Sequence, residues 1–298
     1  MGSLDVMPAR VAITVMGGFG VVVDGVPTAA VGWARRSASA LVKILALAPG
    51  QRLHREHAMD LLWPDEPPVR SAPRLHKAAH FARRAAGRPD AIVLRDDIVW
   101  LFPDSELIVD AIQFEQLARV AVATPHLDAV AEALAWYRGE LLPGDRYADW
   151  ASDRRELLHL RRLDVLRVAG EWRELAELDQ TNEEAHVELM RRHLAAGEAV
   201  AAIHQYEHLE RTLQRQLATR PGAAARQARI DAGHLAGLRD APGSSACVGA
   251  LLAELAGLVN RQSAVLAELE RAAVPPAPVP LEGNDIDPDD LSMVQQSR

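Results

Sequence analysis

The chain has 298 residues, enough for two domains and a tail, and is 49% hydrophobic with only 4% aromatic residues, so its core must rely on Ala, Leu and Val. A formal net charge of −8 argues against indiscriminate coating of nucleic acid. The single cysteine, Cys247, excludes an internal disulfide framework and a cysteine-based zinc site.

Charge is unevenly placed. Between Val31 and Arg95 there are twelve Lys/Arg against five Asp/Glu, whereas Asp240 to Arg298 holds three Arg against nine Asp/Glu. A basic block and an acidic tail share one chain. No apolar run approaches the roughly 18 residues that span a bilayer, so no membrane partner is expected. The N-terminus, MGSLDVMPAR, has no signal-peptide core, and Val6 stands where a myristoylation motif needs Ser or Thr. A cytoplasmic location is the expectation.

In chain order, Val11 to Val23 alternates in polarity and ends on Asp24-Gly25, a tight-turn signal, so several short strands are expected up to about Val31. Ser37 is placed to cap a helix over Ala38 to Ala48, which Pro49-Gly50 terminates. A second helix runs from Arg55 to Trp63 and stops at Pro64. Ser71 is then placed to cap a third helix, whose Pro73 fits in its first turn.

That third helix lies in RSAPRLHKAAHFARRAAGR, residues 70–88, a stretch with no Asp or Glu. At 100° per residue, Leu75, Ala78, Ala79, Ala82, Ala85 and Ala86 fall on one side. Lys77, His80, Arg84 and Arg88 point the opposite way, flanked by Arg74, His76 and Arg83. One face can bury while the other meets phosphate, as a DNA recognition helix requires. Taken alone, the same pattern also describes a solvated charged face. Ile92-Val93-Leu94 and Ile98 to Leu101, flanking Arg95-Asp96-Asp97, make a β-hairpin. Strands, three helices and a hairpin is the order of a winged helix-turn-helix, placed at 10–105.

Helical signals follow from Val109 to Ala236 with almost no strand signal. Ala169-Gly170-Glu171 and Ala196-Gly197-Glu198 repeat one small turn between helices, which suggests stacked hairpins of the tetratricopeptide kind over 108–238. Trp136, Trp150 and Trp172 are expected to lock helix pairs, and Trp33, Trp63 and Trp100 to sit in the core. Val248, Leu252, Leu255, Val259, Gln262, Leu266 and Leu269 recur at alternating spacings of four and three, a short helix over 246–273 that could form a coiled coil. Residues 274–298 read as a disordered acidic tail.

The fold class expected is therefore mainly α with a small N-terminal β component. No enzyme, cofactor or metal is expected. Gly17, Gly18 and Gly20 are not followed by a helix that could cradle phosphate. No G-x-S-x-G elbow or G-x-x-x-x-G-K-[ST] loop occurs. His76 and His80 are four apart, yet lack a third ligand and lie on the basic face.

At this point the residues resemble a known family. The segments 46–67 (ALAPGQRLHREHAMDLLWPDEP), 74–87 (RLHKAAHFARRAAG) and 93–104 (VLRDDIVWLFPD) look like the winged-helix domain of SARP-type regulators, the antibiotic regulatory proteins. More distantly they resemble OmpR-type response-regulator DNA-binding domains. The segments 109–118, 137–158 and above all 183–217 (EEAHVELMRRHLAAGEAVAAIHQYEHLERTLQRQL) are similar to the bacterial transcriptional activator domain. The resemblance implies binding of repeated promoter half-sites in double-stranded DNA as side-by-side homodimers, and recruitment of RNA polymerase. The acidic-Gly-Val-Pro ending usual in the family appears here as Gln216 to Pro221.

Within this reading, Arg74 and Lys77 are the candidates to address guanine O6 and N7, with His80 beside them. Arg83, Arg84 and Arg88 are assigned to phosphates, and Arg70 begins the same helix. Arg95 flanks the wing tip, where Asp96 and Asp97 would repel phosphate. Arg52, Arg55 and His57 are candidates for backbone contacts, and Phe81 for the core. The rival reading is a helical-repeat interaction scaffold whose winged helix does not read DNA. A small-molecule sensor in the helical half is compatible with either.

Overall fold

The computed structural model describes residues 8–240 together with Leu255 and Gln262. The expected helix at 246–273 and the acidic tail at 274–298 lie outside the described residues apart from those two positions. By contacts the chain divides into Met1–Ala232 and Gly233–Arg298.

The first unit begins with β1 (Arg10–Thr14), β2 (Gly20–Val23) and β3 (Val26–Pro27), joined as antiparallel hairpins. Asp24 and Gly25 both take positive φ, so the turn twists with its strands. Helices α1 (Arg36–Leu47), α2 (Arg55–Leu62) and α3 (Pro68–Ala86) follow, with β4 (Arg52–His54) before α2. Next come β5 (Ile92–Arg95) and β6 (Ile98–Leu101), the expected hairpin, and β7 (Glu106–Val109). The sheets are ordered β3-β2-β1-β7 and β4-β6-β5. Sequence reasoning did not foresee β4 or β7. Each has only three or four residues and owes its form to a partner, β7 running parallel to β1 and β4 antiparallel to β6.

The helix starts differ from expectation. α1 begins at Arg36 after Arg35, and no side chain caps it, so Ser37 is not the cap. α3 begins at Pro68, three residues before Ser71; its missing N–H is harmless at the first position. Ser71 is instead buried inside the helix, its hydroxyl 3.3 Å from Met59 Sδ. Pro73 therefore lies in the second turn, where it removes a backbone donor on the exposed side.

α3 ends at Gly87, whose φ of 67° lets the Arg88 and Gly87 N–H groups donate to the Arg83 and Arg84 carbonyls. Arg88 then turns back and donates twice to the Asp90 carboxylate, at 2.9 and 2.7 Å. Those bonds hold the Asp90 carboxyl below its ordinary range and raise the Arg88 guanidinium further.

After β7 the chain is helical: α4 (Asp110–Ala123), α5 (Leu127–Trp136), α6 (Ser152–Ala169), α7 (Trp172–Leu178), α8 (Glu183–Ala195), α9 (Ala199–Leu217) and α10 (Ala223–Asp240). The two repeated turns close α6 and α8 in one manner. Gly170 and Gly197 take φ of 69° and 74°, and Glu171 and Glu198 each donate a backbone N–H to the carbonyl five residues back. The departure at 216–221 is accommodated by Ala218 in the left-handed region. α10 still packs Ala225, Ala228 and Ala232 into a core with Tyr206, Leu209 and Leu213.

The boundary expected near 105–108 is not a break in packing. One core runs from Val11 and Leu41 through Leu75 and Ile92 to Phe114, Leu142 and Val165. The reason is local. Beyond β1, Val15 to Gly17 pair with the segment after α5: Leu142 N–H donates to the Val15 carbonyl, and Gly17 N–H to the Glu140 carbonyl, both at 2.8 Å. Gly17 has φ of 73°, and a Cβ there would stand 2.5 Å from the Arg138 carbonyl oxygen, so only glycine fits.

Asp110 completes the seam. Its buried carboxylate accepts from Val15 N–H at 2.9 Å, Met16 N–H at 3.1 Å and Ala111 N–H at 2.8 Å. Burial raises its carboxyl above the ordinary range although these donors pull the other way. Lys43 of α1, nearly buried, reaches Asp145 at 2.6 Å. Glu115, also buried, takes both Arg119 and Arg154.

Two stability measurements check this account. Asp110→Ala leaves two buried N–H groups of the 15–16 segment without an acceptor and is expected to cost about 2–4 kcal/mol in urea unfolding; a loss under about 0.5 kcal/mol would contradict it. Asp90→Asn is expected to cost about 0.5–1 kcal/mol at neutral pH. Because the carboxyl is held low when folded, that deficit is full above pH of about 4 and closes as pH falls through the lowered value. A pH-independent deficit would contradict the ion pair.

Candidate nucleic-acid interface

The geometry of α3 follows from its stripe of small residues. Leu75, Ala78, Ala79, Ala82 and Ala86 are buried, and they allow α3 to lie close to α1. The opposite side, with Arg70, Arg74, His76, Lys77, His80 and Arg84, is exposed. The split between apolar and basic faces is the one read from periodicity.

The cations on this surface are not equivalent. Arg70, Lys77, His80 and Arg84 have no carboxylate partner among the described residues. Arg74 is engaged: it pairs with Glu66 of the preceding turn and lies over the Trp63 ring at 4.5 Å. It can reach a base edge only by releasing that carboxylate, so its assignment as the leading guanine reader is weakened.

Arg83 and Arg88 require correction. Arg83 is half-buried and donates to the Ile92 carbonyl at 2.8 Å, joining α3 to β5. Arg88 lies beyond the end of the helix and is held by Asp90. A 100° wheel sets Arg88 opposite the alanine stripe only if the helix continues past Gly87, and it does not. Both side chains serve the fold before any ligand.

The hairpin carries its own neutralisation. Asp96 and Asp97 occupy the tip with positive φ, an arrangement Asp tolerates better than most residues. Arg95 lies 3.6 Å from Asp96, and Arg55 lies 3.1 Å from Asp97 while its N–H donates to the Asp97 carbonyl. Arg52 stacks over Trp100 at 4.7 Å. Trp63 and Trp100, expected in the core, are thus half-buried platforms under arginines, while Trp33 is buried as expected. Phe81 packs against the core with one face, and the Arg35 guanidinium covers it at 3.8 Å.

Arg35 and Arg36 were not singled out by the sequence, although a basic doublet ahead of a helix was visible. They read as loop because Ser37 was taken for the cap. Folding brings them beside α3 in a groove of about 540 Å³, together with Trp63, Arg74, Lys77 and Phe81. A second cleft, about 210 Å³, lies between α3 and the hairpin and includes Arg55, His76, Arg95, Asp96 and Asp97.

In the helical half, His186 is buried, with Nδ1 at 2.6 Å from the Gln205 amide nitrogen and His208 stacked beside it. Burial first, then the neighbouring His208, lowers its pKa below that of an ordinary imidazole. No helix among the described residues is long and apolar enough to cross a membrane.

Comparison with known proteins bears on both halves. Residues 109–230 match the family described as bacterial transcriptional activator domain. No curated protein matches the chain. The solved structure of Mycobacterium tuberculosis EmbR, in complex with a low-affinity phosphopeptide, is similar over 85% of this chain and 71% of its own, with a TM-score of 0.56 and 16% identity. At that identity the likeness concerns the fold. Residues 109–230 are therefore similar to the bacterial transcriptional activator domain, and the fold of the chain is similar to that of EmbR.

Proposed function

We propose that the chain is a sequence-specific DNA-binding regulator, an activator that recruits RNA polymerase at promoters with repeated half-sites, where it binds as a homodimer. The observation that carries this reading is the exposed face of α3. Its Arg70, Lys77, His80 and Arg84 have no carboxylate partner among the described residues, while Leu75, Ala78, Ala79, Ala82 and Ala86 on the other side of the helix are buried.

In this mechanism α3 enters the major groove. Lys77, near the middle of the outward face, is the best-placed residue for guanine O6 and N7, with His80 one turn on. Arg70 and Arg84, spaced along the helix, hold phosphates and set the register. Arg74 joins them when Glu66 lets go. The transcriptional activator domain takes the role of contact with the transcription machinery. No step involves bond making, so the protein acts by positioning alone.

One observation favours the rival scaffold reading: Arg55, Arg74, Arg88 and Arg95 already sit beside carboxylates. Selection of bound fragments from genomic DNA, followed by footprinting, separates the two. With about three phosphates neutralised, by Arg70, Arg74 and Arg84, log affinity is expected to fall with log salt at a slope of about −2.7 per protomer. Lys77→Ala and Arg84→Ala are each expected to cost about 1–2 kcal/mol, or roughly 5- to 30-fold. Fragments bound equally well by the parent and by both variants would overturn the proposal.

A further inference from the structure

Two clefts flank the exposed face of α3, and they differ in sign. The cleft on the hairpin side contains Arg55, Arg95 and His76, but also Asp96 and Asp97, so its two permanent cations are matched by two carboxylates. The groove on the α1 side is lined by Arg35, Arg36, Arg74 and Lys77 and by no carboxylate among the described residues, and only Arg74 of the four is paired, with Glu66 of the preceding turn. The larger of the two, at about 540 Å³ against about 210 Å³, is therefore the one that attracts a polyanion.

The walls of that groove are held in place. Arg35 spans from the start of α1 to α3, its guanidinium 3.8 Å above Phe81, and Phe81 is itself packed on the core. Arg36 is exposed and has no carboxylate partner among the described residues. Two adjacent arginines at the start of α1 oppose the helix dipole, and no acidic residue in that first turn offsets them. Their placement does not serve the helix that carries them.

We propose that Arg35 and Arg36 form a phosphate-binding wall, so that the duplex is gripped on the α1 side of α3 and not at the hairpin. The proposal rests on DNA binding by α3 and adds to it the side on which the backbone is held. With α3 in the major groove, one sugar-phosphate strand runs along each shoulder of the helix. On the α1 shoulder the strand meets Arg35 and Arg36. On the other it meets Asp96 and Asp97, which repel it and leave the hairpin standing off the backbone. Contacts of this kind hold the register without reading bases. The extra affinity they supply is the same for every sequence.

The experiment is fluorescence anisotropy over a series of salt concentrations, using a genomic fragment selected by the parent and a scrambled duplex of equal length. Arg35→Ala and Arg36→Ala are each expected to weaken binding to both duplexes by the same factor, about 3- to 10-fold at 0.1 M salt. Each is also expected to make the salt slope shallower by about 0.9. Arg35→Lys keeps the charge and should retain the slope, which separates loss of the phosphate contact from loss of packing on Phe81. Arg95→Ala is expected to leave the slope unchanged. Unchanged slopes in both alanine variants would overturn the proposal, as would an equal loss in Arg95→Ala. If the parent binds neither duplex, it is the DNA-binding reading itself that falls.

Discussion

The packing of the alanine stripe of α3 against α1 decides most of what this protein can present to a partner. Ala78, Ala79 and Ala82 are small enough for the two helices to approach closely, and Leu75 is buried in the same core. Burying that stripe fixes the rotation of α3 about its own axis. Rotation in turn leaves Lys77, His80 and Arg84 no place but the outside. A large side chain in the stripe would push the helices apart and turn the basic face, so stability and the orientation of that face are set by the same contact.

The second constraint is the seam between the winged helix and the helical half. Val15 to Gly17 extend beyond β1 and pair with the chain after α5, Asp110 takes two of their N–H groups, and Lys43 on α1 meets Asp145. α1 thus touches α3 on one side and the helical half on the other. The two halves share one core, and the basic face of α3 is borne by a frame larger than a winged helix alone.

Much of this was legible in the residues. Periodicity assigned the buried and exposed faces of α3 correctly, since an alanine-rich stripe against a carboxylate-free basic face admits little ambiguity. Gly87, Gly170 and Gly197 marked helix ends because only a left-handed residue closes a helix in that way. What sequence could not show was pairing at a distance. β4 and β7 exist through their partners. Arg83 and Arg88 looked like free cations until folding set one on the Ile92 carbonyl and the other on Asp90. Arg35 and Arg36 became part of the surface only when α1 came to lie beside α3.

The chain has two lysines, and they sit in opposite environments. Lys43 is nearly buried with Asp145, and Lys77 is exposed on the outward face of α3. Acylation of lysines with and without a saturating promoter fragment, read by mass spectrometry, therefore tests the central claim directly and carries its own control. The account expects Lys77 to be modified readily in the free protein and shielded strongly by DNA, with Lys43 poorly reactive throughout. Equal modification of Lys77 in the presence and absence of bound DNA would contradict it.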